Sequence, residues 1–488
     1  MSSLDEIREF RLKKREMLIQ KGIEPYPRDG EAFISLSDLR DSFSKYSKSK
    51  RVKTAGRIIA FREHGKSFFA DIFDGTGKFQ IFGKLDEMKE GEFTRFMDTT
   101  DIGDFIAVEG SMFVTQKKEK SILITSWTML AKSIRSLPEK WHGLQDVEER
   151  FRKRYLDILM NDDIRTRFLM RSKIISSLRG ILDKEGFIEV ETPLLHSIPG
   201  GALARPFATH HEALDHDFYL RIAPELYLKR LLVGGIPKVY ELGRNFRNEG
   251  IDMTHNPEFT MLELYEAFKN ASHHRAFLEK LLGGLIRQVT GGSVLTCGEE
   301  KILFSKKFTE MGFSEALKRY ALIADFNSVS QSDLVLRARQ LGIDIAGVKE
   351  RGKIADEIFK KVCRPKIIQP TFVIDIPQDI SPLAKANPEK ENVADRYLLI
   401  AGGLEIANGF SELNDPVEQE KRFHAQEEAH KAGDSEVTRM DEEFLEALEY
   451  GMPPAAGLGI GIDRLVMLFT NQRNIREVVL FPTLRPKD

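Results

Sequence analysis

The chain has 488 residues, 41% of them hydrophobic and 30% charged, with a formal net charge of −2. This describes a globular protein with room for two or three domains; it excludes a histone-like polycation, though not a nucleic-acid binder whose basic side chains gather on one face. Its two cysteines, Cys297 and Cys363, have no CxxC or histidine-rich neighbourhood, so neither a zinc site nor a disulfide framework is expected and a reducing cytoplasm fits.

The N-terminus is charged from Asp5 onward, unlike a signal peptide, and no apolar run approaches the ~20 residues of a membrane span. A soluble, cytoplasmic protein with no membrane partner is expected. Residues 3–21 read as an amphipathic helix carrying Leu4, Ile7, Phe10 and Leu18 near helical spacing. Arg8, Arg11, Lys13, Lys14 and Arg15 make it basic; a solvated face is the plainer reading, an RNA-contacting helix the sharper one. Residues 42–57 add Lys45, Lys48, Lys50, Arg51, Lys53 and Arg57 with no acid among them.

From Val52 to about Trp127, short β-type runs alternate with turn signals: Val52–Phe61, Ser67–Phe73, Lys78–Phe82, Phe105–Phe113 and Ser121–Leu130. Asp74-Gly75 and Gly77 turn the second run into the third. This order suggests a small closed barrel of the oligonucleotide-binding (OB) type, with an SH3-like barrel as rival. Leu137-Pro138 and Trp141-His142-Gly143 read as a linker. An N-terminal domain over 1–145 and a second over 146–488 are expected.

In the second domain a helix over 164–186 runs into Phe187-Ile-Glu-Val-Glu-Thr-Pro193. Residues 296–368 read as a largely helical insertion. Strands follow at Thr371–Ile376, Arg396–Ile400 and Leu404–Ile406, and Ala455–Phe469 reads as a Gly-rich strand leading into a helix. The strands do not alternate with helices as βαβ units would, so the fold class is α+β. His64-Gly65-Lys66-Ser67 lacks the first glycine of a phosphate-binding P-loop and sits between strands, and Gly457-Leu-Gly-Ile-Gly461 lacks a βαβ setting.

Val239 to Thr260 carries the densest chemistry. It places Arg247, Glu249, His255 and Phe259 on one loop between two strand-like runs. An arginine forks onto phosphate and a phenylalanine ring stacks on a base, so this loop suits a bound nucleotide. The segment resembles motif 2 of the class II aminoacyl-tRNA synthetases. Phe187–Pro193 resembles motif 1, and Gly457–Leu468 with Arg464 resembles motif 3, in the family's order. The likeness, with the wording of the bacterial lysine-specific branch, covers essentially the whole chain, including Ile198-Pro-Gly-Gly-Ala202.

That resemblance implies a six- to seven-stranded antiparallel sheet, a homodimer built through motif 1, and a barrel that binds the anticodon. It implies ligation of L-lysine to tRNA-Lys with ATP and Mg2+. Lysine's own carboxylate would attack the α-phosphorus, so the protein supplies alignment and charge rather than a general base. By the same resemblance Arg247 and Arg464 are the catalytic cations. Phe259 stacks on adenine, Glu249 and Asn256 read its edge, and His255 lies near the phosphates. Lysine is held by Gly201, Glu225, Glu263, Tyr265, Asn408, Phe410 and Glu412. Period-two spacing along a strand would put Asn408, Phe410 and Glu412 on one face. In the barrel, Phe69 and Gln80 match the residues that take the central anticodon base, with Arg57, Arg62 and Glu119 as weaker correspondences. Glu405 matches one metal-holding glutamate, whereas Leu398 stands where the family usually has the other. The rival is an aspartyl- or asparaginyl-tRNA synthetase; those need a cationic side-chain pocket, and Glu412 with Glu263 makes this one acidic.

Overall fold

The computed structural model describes residues 3–28, 32–49, 51–138, 144, 146–345, 347–348, 350–431 and 440–486. Trp141, His142 and Gly143 of the expected linker, and Lys50 of the basic run, lie outside them. The chain divides into two units, Met1–Gln145 and Asp146–Asp488.

In the first unit five strands, β1 (Val52–His64), β2 (Ser67–Phe73), β3 (Lys78–Lys84), β4 (Phe105–Val114) and β5 (Lys120–Ala131), close in the order β1-β2-β3-β5-β4. β4 closes the barrel antiparallel on β1, and β3 pairs parallel with β5. The strands form because their apolar residues alternate: Phe68, Ala70 and Ile72 point inward while Phe69 and Asp71 stay half-buried outside. A helix, Glu92–Thr99, adds Phe96, whose ring stacks on Phe68 at 4.2 Å between centroids. His64-Gly65-Lys66-Ser67 is the tight β1–β2 turn, with Gly65 at φ +60.

The N-terminal helix, Leu4–Gln20, starts with a capping box between Ser3 and Glu6. The apolar stripe expected of it is corrected: Leu18 is buried, but Leu4 and Phe10 are exposed. Arg11 is buried instead, donating to the carbonyls of Ile102, Ser133 and Arg135, and Lys14 pairs with Asp101 at 2.8 Å. Arginine's several donors let a cation fill a packing position where local carbonyls are in excess.

The second unit is organised by an eight-stranded sheet. Its strands are β6 (Ile188–Glu189), β7 (Lys238–Phe246), β8 (Glu258–Ala267), β9 (Thr309–Gly312), β10 (Thr371–Pro377), β11 (Val393–Ala401), β12 (Leu404–Ser411) and β13 (Ala455–Gly461), in the order β9-β10-β11-β12-β13-β8-β7-β6. The central pairs are antiparallel, but β9–β10 and β6–β7 are parallel. The expected six- to seven-stranded antiparallel sheet is thus corrected to a mixed one, enlarged by edge strands of two and four residues. Helices Asp162–Lys184, Ala271–Thr290 and Ile462–Phe469 cover one face with a continuous apolar core. The opposite face carries Arg396, Asn408 and Phe410 and receives a second, smaller core.

The 296–368 region is more mixed than expected. A hairpin of Val294–Cys297 and Glu300–Leu303 and strand β9 precede helices Phe313–Ala321, Gln331–Gln340 and Arg351–Ile358. The last continues into a π-turn, Phe359–Cys363, and a 3-10 turn, Arg364–Lys366. The strands of this stretch are four residues each, too short to show a period. Among the described residues no helix is long and apolar enough to cross a membrane.

Candidate active site

The β7–β8 hairpin pairs Asn245 with Phe259, and the Arg247 amide donates to the Pro257 carbonyl, closing the loop between. The Arg247 guanidinium thereby lies 5.1 Å from the centroid of the Phe259 ring. Its Nε is buried with no hydrogen-bond partner among the described residues, an open donor beside an open aromatic face. Burial pulls its pKa below the ordinary arginine value, opposed by Glu249, Glu263 and Glu405. Asn256 is buried; its Nδ2 donates to the Glu258 carbonyl, which leaves Oδ1 open. Glu249 is exposed on the loop.

Arg464 follows β13, in the first turn of helix Ile462–Phe469. Its Nη2 lies 3.0 Å from His255 Nε2, and His255 Nδ1 lies 2.8 Å from Asp252. Since a guanidinium only donates, Nε2 accepts and Nδ1–H donates to Asp252. Burial opposes ionisation of Asp252, but donors from Thr254 and His255 bring its pKa down to about 2. The preceding residue, Asp463, accepts from the Thr260 amide at 2.8 Å and pairs with Arg171 at 2.6 Å. These contacts tie the Arg464 helix to β8 and to helix Asp162–Lys184.

The second cluster is acidic. Glu225 opens helix Glu225–Val233, Glu263 and Tyr265 are two apart on β8, and Glu412 follows β12. All four are at most 7% exposed. Lys229, fully buried one helical turn after Glu225, lies 2.6 Å from Glu225 Oε1 and 2.5 Å from Glu412 Oε2. Its Nζ is also 5.4 Å from the Phe410 ring centroid. Burial works against the Lys229 charge, but Glu225 and Glu412 outweigh it and raise its pKa. Tyr265 Oη donates to Glu263 Oε2 at 3.0 Å. Burial, reinforced by Glu225, pushes the Glu263 carboxyl up to about 8 despite Tyr265, Arg247 and Arg221. Burial likewise raises Glu412, with Lys229 opposing and Glu225 and Glu263 adding to the rise. Glu225 and Glu412 therefore share one ammonium, with the Glu263 carboxyl buried close to both, and Glu412 Oε1 has no hydrogen-bond partner among the described residues.

Glycines make this crowding feasible. A Cβ on Gly457 would collide with Glu412 Oε1 and the Tyr265 ring. Gly201 sits at φ +85, and a Cβ there would come within 3.0 Å of Glu225 Cβ. On β12, Asn408 Oδ1 accepts from Arg396 Nε at 3.0 Å, which turns the Asn408 amide donor the other way. Asn408 and Phe410 are half-buried on this face.

In the first unit, Phe69 on β2 stacks on Phe82 of β3 at 4.5 Å, and Phe82 meets Phe113 at 5.8 Å. Gln80 Oε1 accepts from Ser121 Oγ at 2.8 Å, and Asp71 faces Gln80 across the β2–β3 pair. Arg62 is cross-strand partner of Phe69 and lies 3.8 Å from Asp71. Glu119 is exposed in the β4–β5 turn, two residues before Ser121. Arg57 is five residues further down β1, its guanidinium 4.2 Å from the Phe105 centroid and bonded to the Gly103 carbonyl. Phe69, Arg62 and Gln80 are thus neighbours, and Arg57 is engaged elsewhere.

Comparison with known proteins decides the family. Residues 146–485 match the family described as tRNA synthetases class II (D, K and N), and residues 52–130 match the OB-fold nucleic acid binding domain. The lysine–tRNA ligase of Moorella thermoacetica is 48% identical over 98% of this chain and 97% of its own. That of Carboxydothermus hydrogenoformans is 47% identical over 99% of both, and that of Staphylococcus haemolyticus 44% over 98% of both. The chain belongs to the class II tRNA synthetases. Within them it falls among the lysine–tRNA ligases.

Synthetases of this group use ATP with Mg2+. In this synthetase Glu405 is ringed by cations: burial opposes its charge, but Arg464, Arg364, Lys360 and Arg396 hold its pKa below the usual range. Leu398, in register with Asn408 across β11–β12, is 5% exposed and packed in the smaller core. Among the described residues no three His, Cys, Asp or Glu side chains are arranged to hold a metal ion. Such a site fits one Mg2+ that shares Glu405 with phosphate oxygens and water. It does not fit a second ion held by its own carboxylates.

Sequence reasoning passed over Lys229, Arg396, Lys360 and Arg364 in this synthetase. Lys229 had a readable signal, since Glu225 and Lys229 are four apart in one helix. The others had none, because tertiary packing alone brings them to the cleft.

Proposed function

We propose that this protein ligates L-lysine to tRNA-Lys. The lysine carboxylate attacks the α-phosphorus of ATP, forming lysyl-adenylate and releasing pyrophosphate. The terminal ribose hydroxyl of tRNA then attacks the adenylate carbonyl, releasing AMP. The observation that carries this reading is the acidity of the pocket: Glu225 and Glu412 share the single ammonium of Lys229, Glu263 is buried close to both, and lysine brings two ammonium groups to these carboxyls. An aspartate or asparagine side chain would bring no cation to it.

Arg247 bridges the α-phosphate and the lysine carboxylate, and its position over Phe259 leaves the outer ring face to adenine. Asn408, its amide turned by Arg396, donates to the same carboxylate. Glu225 beside Gly201 takes the α-ammonium, Phe410 the aliphatic stem, and Glu412 with Glu263 and Tyr265 the ε-ammonium. Arg464, relayed to Asp252 through His255, holds the γ-phosphate, and Glu249 and Asn256 read the adenine edge. Mg2+ at Glu405, when bound, neutralises phosphate charge.

The barrel takes the anticodon on Phe69, Gln80, Arg62 and Glu119; the Phe69–Phe82–Phe113 row supports stacking of unpaired bases. Dimerisation through motif 1 is supported by the exposed Ile188, Leu194 and Leu195 beside the sheet-edge strand β6. Two free, buried cysteines suit a cytoplasmic setting. ATP–pyrophosphate exchange with lysine, aspartate and asparagine in parallel tests the assignment. Exchange with lysine alone is expected, and exchange driven by aspartate or asparagine would overturn it.

A further inference from the structure

The phosphate end of the cleft departs from a site that neutralises ATP with several divalent ions. Leu398 offers no oxygen there and is buried in the same core as Ile354, Ile358 and Phe359. The segment that carries these three also brings cations. After helix Arg351–Ile358 the π-turn Phe359–Cys363 inserts an extra residue into the winding, and Lys360 and Arg364 lie within and just after it. This segment is fastened beside Glu405: the amides of Gly402 and Gly403 donate to the carbonyls of Ile368 and Ile367 at 2.9 Å, and Pro365 packs directly on Gly403. Arg364 Nε is buried with no hydrogen-bond partner among the described residues. Asp356 and Glu357 both pair with Lys360, at 2.6 and 3.5 Å.

We propose that Arg364, assisted by Lys360, takes the place of one divalent cation, so that this protein grips its triphosphate with a single Mg2+ at Glu405. The Arg364 guanidinium supplies a fixed positive charge that needs no carboxylate to hold it, and Lys360, itself paired with Asp356 and Glu357, adds part of a second. Glu405 is left to the remaining ion, and Leu398 is free to serve as core. The proposal rests on the ligase reading of the cleft.

The test is Mn2+ binding, followed by electron paramagnetic resonance, with a non-hydrolysable β,γ-methylene ATP. The wild-type protein is expected to retain one protein-held ion per chain. Arg364→Ala with Lys360→Ala should weaken analogue affinity about tenfold at limiting Mn2+, the loss of one charge-assisted contact. Leu398→Glu combined with Arg364→Glu should raise the retained ions to two; single Arg364→Gln, which keeps the side chain's bulk, guards against misfolding. Two or more ions on the wild type, or unchanged affinity in both the Arg364→Ala/Lys360→Ala and the Arg364→Gln proteins, would overturn the proposal while leaving the ligase reading intact. No analogue binding at any Mn2+ concentration would overturn both.

Discussion

The two ends of the catalytic cleft carry opposite surpluses of charge. At the amino-acid end Glu225 and Glu412 pair with Lys229 and Glu263 is buried close to them; at the phosphate end Arg247, Arg464, Arg364, Arg396 and Lys360 gather about Glu405. Burial acts on both, with different consequences. A carboxyl starts a few pH units below neutrality, so burial can carry it across neutral pH and let it hold a proton while the pocket is empty. A guanidinium starts so high that burial lowers its pKa without discharging it. The amino-acid end should therefore respond to pH, and the phosphate end to divalent ions and salt.

The largest effect should come from the phosphate end. Arg247→Ala removes the guanidinium proposed to face the reacting phosphorus, and ATP–pyrophosphate exchange should fall about 10²–10³-fold. The loss should appear in kcat, because the contact strengthens as charge develops on the phosphate. A purely KM effect would make Arg247 a ground-state binder and blur the contrast between the two ends. At the acidic end, Glu412→Ala strips a buried cation of its partner and should cost at least about 3 kcal/mol in lysine activation. Its KM for ATP should hardly move. Near-normal activation would show that Glu225 and Glu263 alone suffice for the ε-ammonium.

A smaller change separates the catalytic unit from the barrel. Phe69→Ala removes one ring from the Phe69–Phe82–Phe113 row, and tRNA charging should weaken by about 1–3 kcal/mol in apparent tRNA affinity. Lysine-dependent exchange without tRNA should be unchanged. Equal losses in both assays would contradict the division of labour.

Much of this was legible because local rules and global fold agree. The barrel strands announce themselves by alternation, as in Phe68-Phe69-Ala70-Asp71-Ile72, and Asp74 marks a turn its own carboxylate stabilises. Arg247 and Arg464 were found through the motif blocks, and Glu225, Glu405 and Glu412 through further matching segments of the same family likeness. The features not read were those that tertiary packing alone creates. Two-residue β6 has no period, helix Glu92–Thr99 is only eight residues long, and Arg11, read as part of a charged face, packs inside. Lys229 reads in sequence as one more helix-face cation; only the fold reveals it as the counter-charge of two glutamates separated by 187 positions from Glu225 to Glu412.

The finest test of the contrast is the proton on Glu263. Its carboxyl is pushed up to about 8 by burial and by Glu225, so in the empty pocket it is largely protonated at pH 7. A second ammonium arriving beside it lowers that pKa toward the ordinary 4.5, and the proton must leave. Lysine affinity should accordingly rise with pH up to about 8, by no more than about tenfold per unit, and be lost as pH falls. Calorimetry at pH 7 in two buffers of different ionisation enthalpy should show close to one proton released per lysine bound. Glu263→Gln should abolish both the release and the slope, because the amide cannot titrate. ATP binding, governed by guanidinium groups that stay charged throughout, should show no such slope between pH 7 and 8. Release of no proton with lysine would mean Glu263 is already ionised in the empty pocket, and the asymmetry between the two ends would then lie in geometry rather than in protonation.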